Sequence, residues 1–491
     1  MIFPRTISDG KRAAIAILAL VVTTLVVTTL VATTIVSCAR SRPAEDASLK
    51  TKPLTLIPED KVRLSNDPAK TEIFRDAGLG LFIHWGPNSQ MGTEISWPLS
   101  NASDDYIKKY YGLAATFDPA DFKPAEWARA AKLAGIEYVV FTAKHHDGFC
   151  MFDSAYSDFK ITKTPYGRDI FAALVEAFRR EGILIGVYYS PGDFRYQFET
   201  GHRFPQLYEA DFTSPDLFGP QQKSFVDYER GQVEELLTRY GDIFMIWFDG
   251  KCEPLKKRAW QVNQDVFIGR GEIPTPEQEI PGQATDRAWG SCMTTSIQWS
   301  YQPEADVRTP REIIRNLIAI RARGGNMLLN VGPRPDGRFA APDADRLREL
   351  GLWMMLYGEA VRAIRPWTTT NEGDVWFTQR RSEGTVYAFT DLDFDLKAGS
   401  AALPPGRRLT VKSVRTTPRT KITLLSQAGD LEWKEDSQGL HIKVERKQTI
   451  QLIRKPGGKA GDPISIAWGP EWPVAVKITN VQPAAGAAPA K

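Results

Sequence analysis

From residue 66 to 365, short apolar runs alternate with segments whose apolar side chains recur every three to four positions. The runs "LGLFIHW", "YVVFTAK", "ILIGVYYS", "DIFMIWFD", "DVFIG" and "NMLLNVG" read as strands. Between them, "PAEWARAAKLAG", "RDIFAALVEAFRREG", "FVDYERGQVEELLTRYG" and "PREIIRNLIAIRARGG" carry the helical spacing, and several close on glycine as helix C-termini do. Such alternation predicts a parallel α/β fold, a (β/α)8-like TIM barrel.

From 366 the pattern changes to short strand-like runs separated by turn residues, from "DVWFTQRRSEGTVYAFTDL" through "RLTVKSV", "KITLLS", "LEWKED", "LHIKVE" and "TIQLI". They predict a C-terminal antiparallel β-sandwich over 366–456. Residues 457–491, ending in "QPAAGAAPAK", read as a partly disordered tail.

The opposite end is an address. Arg5, Lys11 and Arg12 precede a long apolar stretch that runs to Ile35-Val36-Ser37-Cys38, which resembles a bacterial lipobox. Residues 1–38 are therefore expected to be a lipoprotein-type signal peptide, with Cys38 lipidated and 39–65 a polar linker. The alternative is a plain transmembrane anchor, since about 20 apolar residues span a bilayer. Either way the folded part is expected outside the cytoplasm, on the bacterial cell envelope and tethered to the membrane.

At 491 residues the chain exceeds one ordinary domain. A net charge of +3 provides no basis for a nucleic-acid partner. Beyond Cys38 only Cys150, Cys252 and Cys292 remain, without the spacing of a metal site or a disulfide framework.

Barrels build their sites from the loops after the C-terminal strand ends. The first run ends on His84 and Trp85, "YVVFTAKHHDGF" on His145 and His146, "ILIGVYYSPGD" on Tyr188 and Tyr189, and "DIFMIWFDGK" on Asp249. Three of the five histidines thus converge on one mouth. Asp249, emerging beside aromatic rings, reads either as a cap of the next helix or as a carboxylate held rigidly enough to attack carbon. Retaining glycoside hydrolysis needs such a nucleophile and a second carboxyl about 5–5.5 Å away. The histidines read as partners of sugar hydroxyls, as core residues, or, with Asp147, as metal ligands.

At these residues the chain resembles the α-L-fucosidases of glycoside hydrolase family 29. The resemblance rests on "GLGLFIHWGPNS", "AKHHDGFCMFDS" with "DFKITKTPYGRD", "GVYYSPGD", "IWFDG", "IGRGEIPTPEQEIP", "WGSCMTTSIQWSY" and "GGNMLLNVGPRPDG", in the family's order. It implies exo-acting, retaining hydrolysis of terminal α-L-fucose on an oligosaccharide or glycoconjugate, with no metal or other cofactor. It places the nucleophile on Asp249 and substrate contacts on His84, Trp97, His145, His146, Tyr188, Arg270 and Trp299. For the acid/base it points to Glu277 of "TPEQ". Some family members instead carry a Glu just after a Trp, where this chain has Gly290. Glu279, Glu272 and Glu94 are the fallbacks. Two close carboxylates are expected to push one pKa upward and keep the acid protonated. Gly290 motivates an alternative, a catalytically weakened fucose-binding lipoprotein. A galactose-configured substrate is a further one.

Overall fold

Glycines at inward positions make room for large rings inside a curled sheet. A Cβ on Gly80 would lie 2.4 Å from the Tyr138 ring, and one on Gly269 would lie 2.9 Å from Trp247. The computed structural model describes residues 51–199, 201, 222–250, 252–380, 384–392, 407–445 and 472–484. Seven strands form one parallel sheet: β1 Leu79–Ile83, β2 Tyr138–Lys144, β3 Leu184–Tyr189, β4 Met245–Phe248, β5 Phe267–Ile268, β6 Gly290–Thr294 and β7 Asn326–Val331. Their order is β5-β4-β3-β2-β1-β7-β6.

An eighth place beside β6 is taken by an irregular segment. Gly290 and Cys292 donate backbone N–H groups to the carbonyls of Pro274 and Pro276, each at 3.1 Å, and Gln278 donates back to Cys292 at 2.9 Å. Two prolines without N–H groups cannot complete a second ladder, so this edge has no regular strand. β6 itself, "GSCMT", has too little apolar signal to be read as a strand from sequence. The parallel barrel-like architecture stands, with seven regular strands.

The helices include α1 Pro68–Ala77, α2 Asp104–Gly112, α3 Pro124–Leu133, α4 Ile170–Arg180, α5 Phe194–Glu199, α6 Gln222–Thr238, α7 Glu253–Val262, α8 Pro310–Ala322 and α9 Ala341–Tyr357. α8 starts with a full capping box, Thr309 with Glu312, a device worth about 1 kcal/mol. The N-terminal end of the barrel is closed by packing: Phe74 stacks on Phe267 with ring centroids 4.8 Å apart. Nearby, the buried Arg321 guanidinium donates to the carbonyls of Val361 at 2.8 Å and Gly325 at 2.6 Å. The opposite, C-terminal end is therefore the open mouth.

The C-terminal strands are β8 Ile364–Glu372, β9 Val375–Arg380, β10 Val386–Thr390, β11 Arg407–Val411, β12 Val414–Arg415, β13 Lys421–Leu424, β14 Glu432–Asp436, β15 Gly439–Val444, β16 Val474–Thr479 and β17 Gln482–Pro483. They make antiparallel sheets of order β13-β16-β10-β9-β8 and β11-β15-β14, plus the ribbon β12-β17. One expectation changes here. β16 lies in the stretch read as a tail, yet it is an inner strand paired on both sides. Its burial is decided by distant partners, which local composition does not reveal.

The sheets brace the barrel from α9. Trp353 Nε1 donates to the Pro473 carbonyl at 2.8 Å, and Tyr387 donates to Glu359 at 2.7 Å. The expected signal peptide with Cys38, the first part of the linker (39–50), the run "TIQLI" and residues 457–471 and 485–491 lie outside the described residues. Among the described residues no helix is long and apolar enough to cross a membrane.

Candidate active site

Four adjacent strand ends deliver the polar side chains. At the end of β2 the chain turns at once: Gly148 N–H returns to the His145 carbonyl at 3.0 Å, and Phe194 N–H takes the His146 carbonyl at 2.6 Å. Gly148 sits at φ 81°, where a Cβ would lie 2.4 Å from Asp193 Oδ1, so glycine is required. This turn brings two successive histidines to one site, which a continuing strand would have sent to opposite faces. Beneath them the buried Lys144 ammonium lies 3.4 Å from Asp193, 3.8 Å from Glu229 and 4.6 Å from the Tyr189 ring centroid.

Asp249, at the end of β4, is the centre. Its N–H bonds to the Tyr189 carbonyl at 3.1 Å. Its Oδ2 accepts the Tyr188 hydroxyl at 2.7 Å and lies 3.2 Å from His146 Nε2. Its Oδ1 lies 3.2 Å from Arg270 Nη1. Burial alone would raise this carboxyl, but the hydrogen bond and charge of His146 and the charge of Arg270 outweigh it and hold Asp249 below the usual range. It is an ionised carboxylate at neutral pH.

The same Arg270 nitrogen is bonded to Glu277. One donor shared by two carboxylates sets their oxygens no more than about 6 Å apart, twice a hydrogen-bond length. The guanidinium also lies over the Trp247 ring, 4.9 Å from its centroid. Burial would lower the Arg270 pKa, yet Asp249 and Glu277 together push it up. The expected repulsion between bare carboxylates is thus relieved by a cation between them.

His84 Nδ1 pairs with Asn330 Oδ1 at 2.6 Å, and His145 Nδ1 with Ser96 Oγ at 2.7 Å. His146 Nδ1 pairs with Ser190 Oγ, whose hydroxyl donates to the Gly192 carbonyl at 2.8 Å. Burial pulls His84 down to about 4 and His145 well below its ordinary value, so both rings are neutral at pH 7. The His145 ring stacks on Tyr188, centroids 5.1 Å apart and 5° from parallel. Trp97 meets the His146 ring edge-on at 5.5 Å, and Trp299 lies 5.1 Å from the His84 ring. The structure therefore brings together all nine residues singled out around the mouth.

Two of the three fallback carboxylates have other occupations, and Glu279 takes part through its backbone carbonyl, which accepts from Ser291 Oγ at 2.6 Å. Glu94 ties two loops: its oxygens accept from Trp299 N at 2.8 Å, Ser300 N at 3.1 Å and Ile95 N at 2.9 Å. Glu272 pairs with Lys256 at 2.9 Å. Gly290 is not at the mouth. It opens β6 at the closed end, where a Cβ would face Asn326 O at 3.4 Å and the Phe74 ring at 3.5 Å. The absence of a carboxylate at 290 therefore removes nothing from the site, and the case for weakened catalysis built on it falls.

His145, His146 and Asp249 each place one ligand atom within 4.8 Å of the others. A divalent cation there would sit against the Arg270 guanidinium, an unfavourable neighbour. Asp147, the third ligand in the metal reading, is not part of this group. Its Oδ2 accepts Tyr110 OH at 2.8 Å and its Oδ1 accepts Phe149 N at 3.1 Å. Residues that sequence reasoning missed are Ser96, Ser190, Trp247 and Asn330, all close to a recognised histidine or to Arg270. Trp247 in "IWFDG", Ser190 in "GVYYSPGD" and Asn330 in "GGNMLLNVGPRPDG" lie in the quoted motifs, whereas Ser96 carried no such signal.

A model of the alpha-L-fucosidase family matches residues 59–359, and one of the alpha-L-fucosidase C-terminal domain matches 368–455. The chain belongs to the alpha-L-fucosidase family. It is 30% identical to rat tissue alpha-L-fucosidase over 410 residues, covering 74% of this chain and 83% of the relative. With the human tissue enzyme the identity is 29% over 414 residues, 76% of this chain and 84% of that one. Alpha-L-fucosidase isoenzyme 1 from Paenibacillus thiaminolyticus shares 26% identity at a TM-score of 0.65, covering 84% of this chain and 99% of that one. A family 29 alpha-L-fucosidase from Bacteroides thetaiotaomicron, solved as a trapped covalent intermediate with 2-fluoro-fucosyl fluoride, superposes at 0.63 with 25% identity, covering 87% and 100%. The chain is thus a glycoside hydrolase of the alpha-L-fucosidase family, barrel and C-terminal sheets together.

Proposed function

We propose that this alpha-L-fucosidase removes terminal α-L-fucose from glycans with retention of configuration, through a covalent fucosyl-enzyme. The observation that carries this reading is the shared Arg270 nitrogen, which keeps the nearest Asp249 and Glu277 oxygens within about 6 Å, a range compatible with retaining chemistry. The trapped intermediate of the Bacteroides relative supports it.

Asp249, ionised and aimed by Tyr188, attacks the anomeric carbon. Glu277, whose side chain is 39% exposed, leaves Arg270 for the leaving-group oxygen, takes up a proton from solvent once that cation no longer faces it, and delivers the proton there. After the glycan departs, Glu277 takes a proton from the water that attacks the anomeric carbon and frees Asp249. The histidines hold hydroxyls of the ring, Trp97 and Trp299 wall it, and Arg270 remains beside the nucleophile as charge redistributes.

The test is nitrophenol release from nitrophenyl α-L-fucoside by the full chain, with Asp249→Ala and Glu277→Ala beside it. Each variant should lose at least about a thousandfold. Azide should restore turnover with opposite stereochemistry: a β-azide from the Asp249 variant and an α-azide from the Glu277 variant. Intact chain that turns over the galactose-configured analogue but not the fucoside would move the substrate assignment.

The N-terminal pattern supports a second part of the proposal, a lipid anchor on Cys38 that places the enzyme on the cell envelope. Labelled palmitate should enter the intact chain and not Cys38→Ala. No label in either chain, with both recovered in the membrane fraction, would leave a transmembrane anchor as the explanation.

A further inference from the structure

We propose that Ser96 and Asn330 are positioning residues that hold His145 and His84 in opposite tautomers, so that His84 offers the sugar an acceptor and His145 offers it a donor. Both assignments follow from the hydrogen bonds around the rings.

Asn330 Nδ2 donates to the Trp299 carbonyl at 2.7 Å. A carbonyl has no proton to give, so the amide cannot be flipped, and its oxygen must be the atom 2.6 Å from His84 Nδ1. An acceptor in that place requires the ring proton on Nδ1. Since the ring is neutral at pH 7, Nε2 keeps its lone pair.

On His145 the logic inverts. Ser96 Oγ already accepts the Asp147 N–H at 2.8 Å. Were the ring to donate as well, the buried serine would hold two incoming protons while its own had no acceptor. The arrangement that satisfies every group has Ser96 O–H donating to Nδ1 and the ring proton on Nε2. The backbone holds Ser96 rigidly in this place. Its φ of 62° belongs to a tight turn closed by the Trp97 N–H on the Ile95 carbonyl at 2.7 Å, a conformation rarely adopted by a residue with a side chain. Its N–H is anchored on Tyr110 OH at 3.0 Å, and that hydroxyl in turn donates to Asp147.

The two rings lie 5.6 Å apart and both flank Tyr188. A hydroxyl in front of them can donate to one and accept from the other, which neither an ether nor a fluorine does. The identity of the hydroxyl-bearing ligand rests on the fucosidase reading. The tautomers do not.

The test is a two-bond proton–nitrogen correlation spectrum at pH 7 of the full chain carrying nitrogen-15 histidine. With five histidines in the chain the spectrum is small, and His84→Gln and His145→Gln assign the two signals. The expected result is a proton on Nδ1 in His84 and on Nε2 in His145. Ser96→Ala should shift the His145 pattern toward Nδ1–H, leave that of His84 unchanged, and lower kcat/KM about tenfold, as for one lost hydrogen bond. The same tautomer in both rings overturns the proposal, whether or not any fucoside is hydrolysed. Opposite tautomers without fucoside turnover sustain it and count instead against the substrate reading. If Ser96→Ala does not fold, the spectrum of the unaltered chain decides alone.

Discussion

The hydroxyl of Tyr188 donates to Asp249 Oδ2 at 2.7 Å. The same phenol ring lies flat against His145, so one side chain ties the Asp249 carboxylate to the histidine cluster. Tyr188→Phe keeps the ring and removes the bond. A hydrogen bond to a charged group is worth about 1.5–3 kcal/mol, so kcat/KM should fall roughly tenfold to a hundredfold with thermal stability nearly unchanged. Activity equal to the parent would mean that Tyr188 merely fills space.

Gly290→Glu tests whether a carboxylate at 290 has any catalytic place here. It would be forced between Phe74 and the Asn326 carbonyl, away from the mouth. The expected outcome is destabilisation by about 3 kcal/mol or more and no gain in turnover per folded molecule. A variant faster than the parent would restore 290 as the acid/base position.

Glu94→Ala separates a loop tie from a catalytic acid. Losing acceptors for Trp299 and Ser300 should loosen the wall beside His84, with KM rising about tenfold and kcat nearly kept. A thousandfold loss of kcat that azide repairs would instead make Glu94 the acid/base.

The pH dependence of stability follows from His84. Burial lowers its pKa from 6.5 to about 4. The unfolded ring therefore takes a proton first, and its contribution, full above pH 6.5, is lost as pH falls toward 4. By pH 4.5 the loss is on the order of 2–3 kcal/mol. His84→Gln should flatten this part of the profile, read as a smaller drop in Tm between pH 7 and 4.5. Parallel profiles for parent and variant would refute it.

The alternation of apolar runs and helical spacing determined the parallel barrel-like core, because burial on both faces leaves strands such as "YVVFTAK" no other place. The strand-end positions of His84, His145, Tyr188 and Asp249 determined where the site lies, since strand direction sends them all to one mouth. Motif order carried Arg270, Glu277, Trp97 and Trp299 to it. What sequence could not decide depends on distant partners. Ser96 and Asn330 become significant only because the fold sets them against histidines 49 and 246 positions away. Gly290 proves remote because β6 runs in register beside Asn326. β16 is an inner strand because β10 and β13 flank it. Hydrogen-bond polarity, the pairing of Arg270 with two carboxylates and the depth of each ring come from contacts between chain segments far apart in sequence, which no local pattern encodes.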